Sequence, residues 1–268
     1  PLGYDDWAVL PGQGLYYNPD LIFPDKRRRI EGHCTDVVTN LAVEWLNKKR
    51  TEEKPFLLMV QHKAPHRSWM PALRHLPLYD DIEIPEPPTL FDKWTDNAPG
   101  ARLQELEIDR HMDLNYDLFV DLTPEFYQEP SQKAQDRSAW RNMKRMTPNQ
   151  INTWRSHYEP RDAAFKKAKI SGKDLVRWKF QRYAKNYLRC VKGVDESLHT
   201  LQEELRKLGL DKNTIVIYSS DQGFYIGDHG WYDKRWMYEE SLKMPLIVKW
   251  PGTIKAGSKQ EEMVQNLD

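Results

Sequence analysis

The chain has 268 residues, with Lys plus Arg and Asp plus Glu both at 40, so its formal net charge is zero. Hydrophobic residues make up 39 %, charged residues 30 % and aromatics 12 %. That describes one large or two small soluble domains with ample core, and the absence of a basic excess argues against a dedicated nucleic-acid binder while saying nothing about a local basic pocket. No run of eighteen apolar residues occurs, so no membrane span is expected.

Residues 1–30 are rich in Gly, Pro and Tyr ("LPGQGLYYNPDLIFPDKRRR") and read as turns and irregular structure. The basic run Lys26–Arg29 reads as a solvated charge cluster. "CTDVVTNLAVEWLNKK" places Val37, Leu41, Val43, Trp45 and Leu46 at helical spacing, with Thr35 or Asp36 as N-cap. "KPFLLMVQH" is a short continuous apolar run after a proline, which predicts a buried strand near 55–61. From about 70 to 170 the pattern weakens, and this stretch reads as an insertion that carries function rather than core. Its Pro-rich part, "IEIPEPPTLFDKW", is expected to be extended. The charged part, Gln132 to Lys169, is expected to hold some helices.

Residues 174–208 read as one long helix. Tyr183, Tyr187, Cys190, Val194, Leu198, Leu201, Leu205 and Leu208 recur every three or four positions, and Gly209 supplies a stop. Strands follow at 214–219 and 244–250. Continuous apolar strands alternating with amphipathic helices predict an α/β fold, a mostly parallel sheet sandwiched by helices. The two cysteines, Cys34 and Cys190, match no metal or haem spacing, and two buried free thiols are expected.

In open α/β sheets, ligands bind beyond the carboxyl ends of strands. Two such ends carry chemistry. "QHKAPHRSW" holds His66, with His62 and Lys63 as further candidates. "SSDQGFYIGDHGWYDKRWMYEES" holds Asp221, Gln222, His229, Lys234 and Arg235. Asp221 and Gln222 offer hard oxygens of the kind calcium or magnesium takes. A divalent cation, an ammonium and an imidazole together suit a tetrahedral oxyanion, so hydrolysis of a sulfate or phosphate ester is the reaction class. Taken singly, each residue also fits an ordinary turn, cap or surface ion pair.

The segments "FLLMVQHKAPHRSW", "TIVIYSSDQGFYIGDHGWYDKRWMYEES" and "LKMPLIVKWPG" resemble the sulfatases of the alkaline-phosphatase superfamily. "VLPGQGLYYNP" and "TDVVTNLAVEWL" fit the same order. "APHRSW" and "DKRWMYEES" are most similar to the branch of N-acetylglucosamine-6-sulfatases and bacterial glycan sulfatases. The resemblance implies an alkaline-phosphatase-like core, here incomplete. It implies calcium held by Asp221 and Gln222, and catalytic contacts to sulfate from His66 and Lys234. It places His229 and Arg235 on the substrate side. The partner implied is a sulfated carbohydrate, such as 6-O-sulfated N-acetylglucosamine, with no nucleic acid and no membrane span, in a periplasmic, secreted or lysosomal setting. Such enzymes use a formylglycine made within a C/S-x-P-S-R-type motif. Neither Cys34 nor Cys190 stands in one, and Asp5 and Asp6 follow no strand. The chain is therefore expected to be a piece that lacks the nucleophile, part of the calcium site and a C-terminal subdomain, and to be inactive alone. The alternatives are a phosphodiesterase or phosphonate hydrolase of the same superfamily, or a non-catalytic binder of sulfated glycans.

Overall fold

The computed structural model describes residues 3–51, 54–93, 99–121 and 141–265. Part of the expected insertion, 122–140, lies outside the described residues, and with it the start of the charged stretch expected to hold helices. The chain divides into two compact units. The first comprises Pro1–Leu201 with Tyr225–Asp233, and the second Gln202–Phe224 with Lys234–Asp268.

The first unit opens with an antiparallel ribbon of β1 (Asp20–Ile22) and β2 (Arg27–Arg29). Helix α1 (Cys34–Lys48) follows and buries Cys34, Val37, Ala42 and Leu46. Its N-cap is His33 rather than Thr35 or Asp36, and no side chain caps it. The Cys34 amide is already satisfied by the Tyr16 carbonyl at 2.6 Å, so the first turn can form early.

After the short helix α2 (Pro99–Leu103) comes α3 (Pro148–Ala168), which starts on a capping box. The Thr147 hydroxyl accepts from the Gln150 amide, and the Gln150 side chain accepts from the Thr147 amide. Helix α4 (Gly172–Lys207) realises the long helix read from the sequence. Its buried stripe runs Val176, Phe180, Tyr183, Cys190, and a second stripe of buried polar residues, Lys179, Arg182, Asn186 and Arg189, lies beside it. The chain leaves this helix through Gly209, whose φ of 69° is a conformation that a side chain would resist. A second small ribbon, β4 (Tyr225–Ile226) and β5 (Tyr232–Asp233), closes the first unit.

In the second unit β3 (Val216–Ser219) pairs with β6 (Leu246–Lys249), Val216 opposite Lys249 and Ser219 opposite Leu246. Helix α5 (Glu239–Leu242) lies between them in sequence. The α/β alternation is as expected, but the pairing of these strands is antiparallel rather than parallel. The segment 55–61 is extended without a ladder partner among the described residues. The physical reason is visible in exposure. Leu57 is 75 % exposed, Ile217 65 % and Ile247 61 %, so the apolar runs that signalled buried strands find no covering layer among the described residues.

Candidate functional site

The sequence-predicted residues divide between the units. His66 and His229 belong to the first, and Asp221, Gln222, Lys234 and Arg235 to the second.

His66 sits in the turn 62–69. Its amide donates to the Lys63 carbonyl at 2.9 Å, and the Tyr16 hydroxyl donates to its own carbonyl at 2.7 Å. The imidazole Nδ1 lies 2.6 Å from the Arg67 carbonyl, which can only accept, so Nδ1 carries the proton. That fixes the tautomer. In the neutral ring Nε2 holds the lone pair, and in the protonated ring Nε2–H is the remaining donor. The next residue is locked harder still. Arg67 donates from Nε and Nη2 to both oxygens of Asp117, at 2.6 and 2.8 Å, and its guanidinium lies over the rings of Tyr116 and Tyr232 at 4.9 and 5.1 Å. Burial works against the Arg67 charge, and the Asp117 carboxylate more than offsets it, so its pKa is raised.

The Arg67–Tyr232 contact joins the His66 segment to the ribbon that carries His229. Backbone bonds stitch this ribbon to the loop 106–112: Tyr232 donates to the Leu106 carbonyl and Ile108 to the Gly230 carbonyl, both at 2.9 Å. Helix α4 fixes both partners. The Tyr183 hydroxyl donates to the Tyr225 carbonyl at 2.7 Å. The buried Lys179 ammonium donates to the carbonyls of Ile108, Asp109 and Met112, at 3.1, 2.7 and 3.1 Å. His229 has φ 59°, donates its amide to the Thr89 hydroxyl at 2.9 Å, and places Nδ1 3.5 Å from the Asp92 carboxylate.

In the second unit Asp221 and Gln222 follow β3 and lead into Gly223. The Gly223 amide donates to the Ser241 carbonyl at 2.8 Å. A Cβ at Gly223 would stand 2.1 Å from the Glu240 carbonyl oxygen and 2.4 Å from that of Lys243, so only glycine lets the chain lie on α5. Lys234 and Arg235 lead into the start of the same helix, whose N-cap is Tyr238. The second unit thus hangs both parts of its predicted cluster on α5. Asp221 is exposed and accepts from the Ser220 hydroxyl at 3.4 Å.

Two neighbouring oxygen donors do not make a calcium site, which needs six to eight. Among the described residues no group of three or more His, Cys, Asp or Glu is placed to hold a metal ion. Both cysteines are free and buried, as expected, and burial pushes each thiol up to about 12. Neither can act as a thiolate nucleophile near neutral pH.

The sequence pointed to His66 but missed what holds it. Arg67 was visible only as part of "APHRSW". Tyr183 was visible only as part of the helical stripe, and Asp117 and Lys179 gave no signal of their own, since a buried charge on a helix or in a loop looks like any surface charge until its partner is known.

The Sulfatase family model matches residues 2–268. An N-acetylglucosamine-6-O-sulfatase of Bacteroides thetaiotaomicron is 40 % identical over 271 residues, covering all of this chain and 48 % of the relative. The N-acetylglucosamine-6-sulfatase of Homo sapiens is 25 % identical over 274 residues, covering all of this chain and 38 % of the relative. A solved structure of a protein in complex with its substrate D-glucosamine-2-N,6-O-disulfate superposes with a TM-score of 0.89 at 41 % identity, over 96 % of this chain and 52 % of that one. The chain therefore spans about half the length of such relatives or less.

Proposed function

The chain belongs to the sulfatase family, and on that premise we propose that it forms part of the catalytic domain of an enzyme that hydrolyses the 6-O-sulfate ester of glucosamine units in sulfated glycans. One observation carries this reading: the whole chain is 40 % identical to an N-acetylglucosamine-6-O-sulfatase. The likeness to the complex with D-glucosamine-2-N,6-O-disulfate supports the same sugar and the same position.

Hydrolysis breaks the bond between sulfate and the sugar O6, adds water, and yields an alcohol and inorganic sulfate. Two tasks suit residues of this chain. The leaving O6 needs a proton, and His66 is the proposed donor through Nε2, with Nδ1–H turned to the Arg67 carbonyl. The sulfate oxygens gather charge during transfer, and the Lys234 ammonium is the proposed counter-charge. His229 and Arg235 are proposed on the sugar side. The nucleophile is not assigned to Cys34 or Cys190. We place it, as a formylglycine, in a part of the protein that this chain does not span. Asp221 and Gln222 are proposed to contribute oxygens to a calcium site completed elsewhere.

The test is release of inorganic sulfate from N-acetylglucosamine-6-sulfate by the intact protein, run beside a phosphodiester and a 4-O-sulfated galactosamine. Turnover of the 6-sulfate alone supports the reading. Turnover of the phosphodiester without the sulfate ester would overturn it.

A further inference from the structure

The first unit carries a concentration of guanidinium groups that the proposed chemistry does not use. Strand β2 is three consecutive arginines, all exposed. Side chains alternate across a strand, so Arg27 and Arg29 share one face. On that face both reach Asp20, one strand over. Arg27 Nη2 donates to Oδ2 at 2.9 Å and Arg29 Nε to Oδ1 at 3.3 Å. A third guanidinium arrives from a distant part of the chain. Arg145 Nη2 donates to the same Oδ2 at 2.8 Å, and its Nη1 to the Asn18 carbonyl at 3.2 Å. Residues 141–145 are helical, so Arg141 stands one turn from Arg145 on the same helix face.

Three positive charges thus meet on one carboxylate, with a fourth one turn away, on a chain of zero net charge. The arrangement is ordered rather than diffuse. The Asp20 side chain is only 14 % exposed, whereas those of Arg27 and Arg29 are 57 % and 58 % exposed. The carboxylate lies beneath and holds the forks in place, with the outer edges of Arg27 and Arg29 facing solvent and Arg145, only 18 % exposed, bracing Asp20 from the inner side. The hydrogen bond from Arg145 first, and those from Arg27 and Arg29 after it, outweigh burial and keep the Asp20 carboxyl ionised far below the usual carboxylate range. Each guanidinium has five N–H donors, and Asp20 engages only one from each of these three residues. Arg28, on the other face of β2, is engaged differently, stacked over the Phe23 ring at 4.3 Å.

We propose that Arg27, Arg29, Arg145 and Arg141 form an anion-binding surface that grips sulfate groups of a polymeric sulfated glycan. The choice of a sulfated glycan over other polyanions rests on the function proposed above. Planar guanidinium forks match the paired oxygens of a sulfate, and forks already ordered by Asp20 lose little rotamer freedom on binding. Such a surface adds affinity for a chain without touching the sugar being cleaved, by raising its effective concentration at the catalytic groups.

The test is binding of a heparin dodecasaccharide to the intact protein by titration calorimetry at several salt concentrations. Arg27→Gln/Arg29→Gln is expected to weaken binding at least tenfold and to flatten its salt dependence. Arg141→Gln, which leaves the Asp20 cluster intact, is expected to weaken binding about threefold, and it decides the matter if the double variant fails to fold. Hydrolysis of monomeric N-acetylglucosamine-6-sulfate is expected to be unchanged in both. Unaltered affinity and salt dependence would overturn the proposal. So would equal or tighter binding of a single-stranded DNA of the same charge. Loss of the sulfatase reading would instead show as no monomer hydrolysis by the unaltered protein, whatever the binding result.

Discussion

Arg67 and Asp117 form a two-pronged ion pair, 2.6 and 2.8 Å, in which the carboxylate is wholly buried, and the Arg67 carbonyl accepts the proton of His66 Nδ1. The pair is the anchor of the proposed proton donor. Asp117→Asn removes one charge and leaves the other buried among Tyr116 and Tyr232. We expect a loss of about 3–5 kcal/mol in stability by urea denaturation. Arg67→Met/Asp117→Leu, which removes both charges, should recover much of that stability but not the turnover. A stable double variant with full activity would remove Arg67 from the support of His66.

Lys234 is proposed to meet charge that develops on sulfate. Lys234→Ala should lower kcat by about 10²-fold or more, the scale for losing one oxyanion stabiliser. It lies in a loop with no place in the buried core, so the denaturation midpoint should hardly move. Near-normal turnover would exclude it from the reaction.

Gly223 offers a structural control for the Asp221–Gln222 pair. The Cβ of Gly223→Ala would collide with two backbone carbonyls of the α5 region, neither of which can rotate away. Overpacking of this kind typically costs about 1–3 kcal/mol. The variant should also bind calcium more weakly in the intact protein, read by calorimetry. Unchanged metal affinity alongside reduced stability would separate Asp221 and Gln222 from the metal.

Buried imidazoles set a pH dependence. Burial lowers His33 and His62 to about 4, because each ring is desolvated and resists taking a charge. In the unfolded chain they take a proton near pH 6.5, about the ordinary histidine value. Between those values the unfolded state binds more protons, so stability is full above about pH 6.5 and is lost as pH falls toward 4. These two groups give a slope of up to about 2.7 kcal/mol per pH unit, and His157, lowered to about 3 by burial and by Arg161, steepens it further. Urea midpoints at pH 7, 6 and 5 check this, and His62→Gln should flatten the curve.

What could be read in the sequence was what periodicity encodes. Helices α1 and α4 were visible within about two residues at most termini, because a 3.6-residue apolar stripe marks a helix against any neighbour. Strands β3 and β6 were visible as apolar runs, but neither their direction nor their exposure was, since an apolar run carries no record of which strand pairs with it or of what covers it. The same gap made Leu57–Met59 look like a buried strand. The candidate residues were legible as a pattern along the chain, and their supports were not. Asp221, His229 and Lys234 stand out by their density along the sequence, although the structure divides them between the two units. Asp117 lies 50 residues from Arg67, and Lys179 lies 67 to 71 residues from the carbonyls it holds. Neither has a marker in the sequence, because only folding pairs them.

The tether that Lys179 makes with three carbonyls of the loop 108–112 has a consequence for how this chain can vary. Three oxygens aimed at one point form a receptor for an ammonium ion, and the protein fills it with its own side chain. Truncation at this position would leave a vacated socket with its acceptors still converging. A primary alkylamine in the buffer should occupy that socket and restore the ribbon of Tyr232, where a neutral alcohol of equal length should not. The loop is in effect a host molecule with a built-in guest, and position 179 tolerates change only where another cation can take the seat.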